Sequence, residues 1–245
     1  MTAGRNAVPA YRIGPAAVGL EVVPAAIRTG AYRSLAAAPN VFAIDSFIDE
    51  LAHVAGRDPM AFRLQHLEDA RLRRVLEAVR DASGWDHRVR GDGRGFGVAC
   101  AIYHDTAVAQ VAAVSMAANG AVRLEQVWCA VDAGRLVHPD GARNQIEGGI
   151  QQAASWTLLE TLTIRDGEIT AESWRDYPIA TFHDAPDLID VTFVGATDRP
   201  SSGTGEPGSV PTAAAIANAV FDACGVRVRR LPITAAAVAL ARARS

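Results

Sequence analysis

Apolar side chains recur every three or four positions in three successive runs between residues 40 and 84, the period of amphipathic helices. In the first run Asn40 reads as the cap, Ile44, Phe47, Ile48, Leu51 and Ala55 share a face, and Gly56 ends the helix. Asp58-Pro59 opens a second helix, since proline at the first helical position forgoes only an N–H that lacks a partner anyway. The third runs from about Arg71 to Ala82, with Leu72, Val75, Leu76 and Val79 on one face and Gly84 closing it. Upstream, residues 1–35 show no such period. Pro9, Pro15, Pro24 and several glycines mark them as irregular or extended.

The pattern changes after residue 90. Residues 95–103 and 107–117 are rich in Val and Ala and read as strands, and Asn119-Gly120 is a hairpin signal with 121–131 as the returning strand. Residues 141–160 favour a helix that Gly148-Gly149 weakens, and Asp166-Gly167 marks another hairpin. A strand at 190–195 leads into the glycine-rich loop 200–210, after which Pro211 starts a helix that Gly225 ends. The expected class is α+β, a helical first third followed by a mixed sheet and helices. The expected division is 1–90, an extended and helical part, and 91–245, a mixed α/β part carrying the glycine-rich loop. No repeat or low-complexity linker interrupts the chain.

Composition narrows the chemistry. With 245 residues, 49% hydrophobic and 21% charged, the chain can bury a core of useful size. A net charge of -3 gives no reason to expect nucleic acid or an anionic membrane as partner. All 24 basic residues are Arg, which excludes Schiff-base lysine chemistry and a lysine-bearing phosphate loop. Cys100, Cys129 and Cys224 are far apart and form no C-x-x-C, so this chain alone should hold neither a zinc ribbon nor an iron–sulfur cluster. Each lies in an apolar run, where a buried thiol is expected. His138, before Pro139, has no partner at metal-ligand spacing, and all six histidines read as structural or surface residues, so no metal ligand is assigned. Met1 to Ala10 lacks a signal-peptide apolar core, and no run of apolar residues is long enough for a membrane span. The compartment stays open.

The segment Gly203-Thr-Gly205-Glu-Pro-Gly208 matches G-x-G-x-x-G ahead of a helix and invites a dinucleotide reading. Its context opposes that reading. The nearest strand ends several residues earlier, Asp222 falls inside the following helix, and Pro207 removes an N–H that a pyrophosphate would want. As a platform for Glu206 the loop makes better sense. A residue before proline is pushed toward an extended backbone, Gly205 and Gly208 allow close approach to a bulky ligand, and the helix after Pro211 points its positive end back. A carboxylate held there could act as a general base, or it could simply cap the helix.

Three stretches, taken in order, resemble the molybdenum hydroxylases of the xanthine dehydrogenase/aldehyde oxidase family. They are RTGAYRSLAAAPNVFAIDSFIDELAHVAGRDPMAFRLQHL, WCAVDAGRLVHPDGARNQIEGGIQQA and GTGEPGSVPTAAAIANAVFDACG. Their order and spacing are similar to the C-terminal part of the molybdopterin-binding subunit in the isoquinoline 1-oxidoreductase branch, over about residues 10–235. The resemblance implies a molybdenum–molybdopterin cofactor, in bacteria usually as the cytosine dinucleotide. It implies hydroxylation of an aldehyde or N-heterocyclic carbon with oxygen from water, with Glu206 as the base that activates molybdenum-bound hydroxide. Electrons would leave through iron–sulfur clusters on a partner subunit.

By the same resemblance Arg33 faces the substrate and stabilises developing negative charge, although Tyr32-Arg33-Ser34 departs from the Phe-Arg-Gly of the xanthine enzymes. Gln145 would hydrogen-bond the pterin, with Gly148, Gly149 and Gly205 letting the cofactor come close. Gly148 and Gly149 could equally mark a kink or close packing. Asp132 reads as a structural turn residue. The chain contains neither the family's glycine-glutamine-glycine type loop nor its glutamine near the metal oxo group. It should therefore work with a larger chain supplying the N-terminal part and show apolar surface toward it. A non-catalytic scaffold that keeps the fold without the cofactor is the competing expectation.

Overall fold

The computed structural model describes residues 3–25, 27–195 and 198–244. The first helix, α1, spans Ala37–Val54, followed by α2 (Pro59–His66) and α3 (Ala70–Ser83). Asp58 and Asp69 cap the last two, each accepting from two backbone N–H groups of the first turn. Gly84 ends α3 in the left-handed conformation expected of a glycine terminator. Leu72, Val75, Leu76 and Val79 are all fully buried, so the apolar stripe located the inward face of α3 correctly.

Two details of the first helix differ from expectation. Asn40 lies inside α1 rather than at its start, and its side-chain amide donates to the Ala3 and Arg5 carbonyls, which fastens the N-terminal segment. The helix instead emerges from a tight turn in which Ser34 and Leu35 have φ of 69° and 52° and Ala37 N donates to Ser34 O at 2.9 Å. Phe47 is 57% exposed, although it sits at helical spacing from buried Ile48.

Strands β1 (Arg94–Tyr103), β2 (Thr106–Met116), β3 (Val122–Asp132) and β6 (Leu188–Phe193) form one sheet in the order β1-β2-β3-β6. The first two pairings are antiparallel and β3–β6 is parallel, which makes the sheet mixed. Between β3 and β6 come helix α4 (Pro139–Leu158) and the short hairpin β4 (Ile164–Arg165) with β5 (Glu168–Ile169). The Gly148-Gly149 pair does not interrupt α4, which stays helical along its length.

The sheet is buried on both faces, which is why its strands read as apolar runs instead of clean alternation. One face (Val98, Cys100, Ala109, Val111) packs mainly on α3 and on α1, with α2 completing the same apolar cluster. The other (Ala99, Ala101, Val108, Val127) packs on α4 and on α5, Thr212–Cys224. The first nine residues of α5 are buried all round. Close packing here depends on glycine. A Cβ at Gly95 or Gly97 would stand 2.2 Å from a carbonyl oxygen of α5, so β1 and the alanine-rich helix touch backbone to backbone. The tail Ala235–Arg242 is a further helix, α6, capped by Thr234. Cys100 and Cys129 are buried, whereas Cys224, at the end of α5, is only half-buried.

Candidate functional site

Glu206 sits on the bend between β6 and α5, just before a one-turn 3-10 helix at Pro207–Ser209. Its backbone is at φ -123°, ψ -25°, not the extended conformation expected before proline. The turn that follows explains the difference: Ser209 N donates back to Glu206 O at 3.0 Å. The side chain makes no helix-capping hydrogen bond. It turns instead toward two distant elements. Glu206 Oε1 accepts from Ser34 N at 2.9 Å, and Oε2 accepts from the Tyr103 hydroxyl at 2.7 Å. Burial raises this carboxyl's affinity for a proton, but Tyr103, the Ser34 amide and the nearby His104 and Arg5 together hold its pKa below the ordinary glutamate value. Glu206 is therefore a carboxylate at neutral pH, with each oxygen gripped once and lone pairs to spare.

The loop carrying it is pinned from three sides. At the start of β2, Thr106 Oγ1 lies 2.7 Å from Ser202 Oγ and donates to Gly203 O at 2.7 Å. Further along β2, fully buried Gln110 donates to Gly208 O at 2.7 Å and accepts from Thr212 Oγ1 at 2.9 Å. From the turn before α1, Ser34 and Ser209 join hydroxyl to hydroxyl at 3.0 Å. From α4, the Ile146 backbone presses so close that a Cβ on Gly208 would stand 2.5 Å from its carbonyl oxygen. None of these contacts exists until the sheet, α4 and the Tyr32–Ala36 turn have come together.

Arg33 lies on the same rim. Its Nε donates to Gly205 O at 2.7 Å, and its Nη2 to Gln145 O at 2.8 Å, to Gln145 Oε1 at 3.0 Å and to Gly205 O. Nη1 reaches Gln152 Oε1 at 3.4 Å. The guanidinium thus ties the residue before Glu206 to the face of α4. The structure brings Glu206, Arg33, Gln145, Gly149 and Gly205 into one constellation. Gly149 serves close packing, because a Cβ there would stand 3.2 Å from Ser209 N. Gly148 is exposed, and a Cβ on it would meet only Arg33 Nη1, at 3.9 Å.

Sequence reasoning missed Tyr103, Ser34 and Gln110 as parts of this site. Ser34 was one residue from a named candidate. Tyr103 and Gln110 carried no local signal, although a glutamine fully buried within an apolar strand requires polar partners. Asp132 is structural, as expected: it is fully buried, accepts from Gly134 N at 3.2 Å and pairs with Arg71 at 3.1 Å. His138 caps α4 through Gly141 N at 2.7 Å. Among the described residues no cluster of His, Cys, Asp and Glu could hold a metal, and no helix is long and apolar enough to cross a membrane.

The rim fits a polar, ring-shaped cofactor edge. Gln145 is exposed on α4 with its oxygen engaged by Arg33, and no described residue accepts from its amide nitrogen. Beside Gly205 nothing stands within 4 Å of where a side chain would project. An amide donor, a guanidinium and open glycine backbone form one continuous face that could accept such an edge.

Residues 102–186 match a family model described as a molybdopterin cofactor-binding domain. The chain is 38% identical to a subunit of nicotinate dehydrogenase from Pseudomonas putida over 248 residues, covering 94% of this chain and 21% of that protein. It is 33% identical to the beta subunit of isoquinoline 1-oxidoreductase from Brevundimonas diminuta, covering 86% of this chain and 27% of that protein. The chain belongs with the molybdenum hydroxylases. It spans only a fifth to about a quarter of the length of these two relatives. Among solved structures, quinoline 2-oxidoreductase of Pseudomonas putida superimposes with a TM-score of 0.77 at 15% identity, over 86% of this chain and 53% of that one. Aldehyde oxidoreductase of Desulfovibrio gigas gives 0.73 at 15%, over 86% of this chain and 41% of that one. At that identity the structures speak for the fold alone. They show the mixed helix-and-sheet architecture of molybdenum hydroxylases, as the sequence led one to expect.

Proposed function

We propose that this molybdenum-hydroxylase chain is one part of an oxidoreductase that hydroxylates an aldehyde or N-heterocyclic carbon with oxygen from water, Glu206 acting as the general base. The observation that carries the reading is the Glu206 carboxylate itself. It is ionised, aimed by two donors from distant elements, and set on a rim with Gln145 and the open backbone of Gly205. When bound, a molybdenum–pterin cofactor, in its cytosine dinucleotide form, would supply the redox chemistry and the site where water-derived oxygen is activated.

The chain's own residues would do the rest. Glu206 receives a proton from the attacking oxygen at a carboxylate lone pair not used by Tyr103 or Ser34. Arg33, already beside Gly205, orients the substrate and steadies negative charge that develops on it. Gln145 offers its free amide donor to the pterin, and Gly148 and Gly205 leave room for it. That nicotinate and isoquinoline name the two relatives above favours an N-heterocycle among the substrate classes.

A larger chain completing the molybdenum subunit and an iron–sulfur subunit are the proposed partners. The length of the relatives supports the first. So does a run of exposed chain from residue 12 to 25, where Ile13, Val18, Leu20, Val22 and Val23 stand 47–72% exposed. Apolar side chains set along an open backbone suit burial against another surface.

The test is molybdenum and pterin content of the chain produced alone and together with its partner chains. Both groups are expected only in the complex. Metal in neither preparation, with the complex intact, would leave a scaffold that keeps the fold without the chemistry.

A further inference from the structure

We infer that Tyr103 is a positioning residue for Glu206, its hydroxyl and the Ser34 amide each gripping one carboxylate oxygen so that the carboxylate keeps a single orientation on the rim. The inference rests on the reading of Glu206 as the base and assigns that base its support.

Tyr103 is 2% exposed and belongs to the main core cluster, with the Arg5 guanidinium 5.5 Å from its ring centre, so its hydroxyl has little freedom to move. Burial and the neighbouring Glu206 push its own pKa up to about 12, so it stays a neutral donor wherever the protein is folded and active. Its place on the chain fits the role. Tyr103 and Thr106 are paired across the tight turn at His104-Asp105, where φ is 45° and 65°. Thr106 holds Gly203 while Tyr103 holds Glu206, so one hairpin end grips the loop at two points three residues apart. The second donor comes from a different element, the turn before α1. Ser34 is fully buried with φ of 69°, a conformation a non-glycine residue keeps only where its surroundings enforce it. That turn directs the Ser34 N–H at Oε1. Two donors from separate elements, one on each oxygen, fix both, where one alone would leave the carboxylate free to swing about its bond.

The charged and titratable groups facing Glu206 are Tyr103 and His104 from the β1–β2 end, Arg5 from the N-terminal segment, and Arg33 from the turn before α1. Tyr103→Phe removes one hydroxyl and leaves the ring, the charges and the Ser34 amide in place.

Two measurements test the inference. In the full chain carrying carboxyl-labelled glutamate, with Glu206→Gln assigning the signal, the Glu206 titration should move upward in Tyr103→Phe. An unmoved titration overturns the inference. Should that variant fail to fold, uniform 3-fluorotyrosine, a stronger donor of the same shape, should move the titration downward, and no movement overturns the inference equally. In the reconstituted holoenzyme, Tyr103→Phe should move the acid limb of kcat/KM to higher pH and lower the plateau kcat about tenfold, the scale of a lost charge-assisted hydrogen bond. A titration that moves while the rate profile does not would leave Tyr103 holding Glu206 and remove Glu206 from the chemistry, so the two readings fail separately.

Discussion

The chain holds charge in two very different ways. Arg63 and Asp45 are 0% and 2% exposed and meet at 3.0 Å. Arg63 also reaches the Asp45 carbonyl at 2.8 Å and Asp49 at 3.4 Å, Arg227 joins Asp49 at 2.6 Å, and the Tyr11 hydroxyl donates to Asp45 at 2.9 Å. This cluster lies in the core, and its charges are satisfied within the two helices and the segments around Tyr11 and Arg227 that they tie together. Glu206 is only half-buried and is hydrogen-bonded by neutral donors, with Arg5 and His104 acting on it only at longer range. Burial pushes the Asp45 carboxyl up against the pull of Arg63, whereas around Glu206 the two donors, helped by His104 and Arg5, win over burial and hold it down. Depth and pairing therefore do not distinguish the carboxylate proposed as the base. What marks it is a fixed direction combined with unused lone pairs on an open rim.

Substitutions that separate activity from stability test this contrast. The largest effect should come from Glu206→Gln in the reconstituted complex. Turnover should fall by about 100- to 10,000-fold, the usual contribution of a positioned general base, while molybdenum content and melting temperature stay close to the parent. Near-normal turnover would erase the contrast. Next is Arg63→Met, which leaves Asp45 buried without its cation. Urea unfolding should show a loss of about 3–5 kcal/mol, with turnover per folded molecule unchanged. Loss of activity without loss of stability would place that cluster in the chemistry.

Arg33→Ala should lower turnover by roughly 10- to 100-fold with cofactor content kept. Its hydrogen bonds to Gly205 and Gln145 sharpen what is at stake. If the variant loses the cofactor, Arg33 belongs to the scaffold that holds the rim together. The smallest effect concerns acid. A carboxyl whose folded pKa is depressed adds stability above its unfolded value of about 4.3 and loses it as pH falls through the folded value. Glu206→Gln should therefore flatten the decline in stability on the acid side of that window. The slope measured by urea unfolding at successive pH values should stay steep if the Tyr103 and Ser34 contacts do not bias ionisation.

Much of the scaffold was legible because its signals are local. Asp58 before Pro59, Gly84, Asn119-Gly120 and Gly225 each set backbone geometry within a few residues of themselves, and each does so in the folded chain. The same holds for the stripe of α3. Where reading failed, a distant contact overrode the local preference. Asn40 has the chemistry of a cap, yet the Ser34–Ala36 turn starts α1 earlier and leaves Asn40 to bind the N-terminal segment. Glu206 should be extended before Pro207, but the turn to Ser209 pulls its backbone round. Gly148-Gly149 suggested a weakened helix, and packing of α4 against Pro207–Ser209 accounts for Gly149 instead.

The order of residues was enough to place the turns and most helix ends, though neither the start of α1 nor the helix α6, to reveal the family resemblance and to find the loop that presents Glu206. What that glutamate meets was set by folding. Ser34 is 172 residues from it and Tyr103 is 103, while Gln110 reaches across 98 residues to Gly208. Continuous apolar strands tell that both faces of the sheet are covered, but not which loop lies across a strand's end. That follows from how closely β1 and α5 approach through Gly95 and Gly97, a packing that exists only once both are folded.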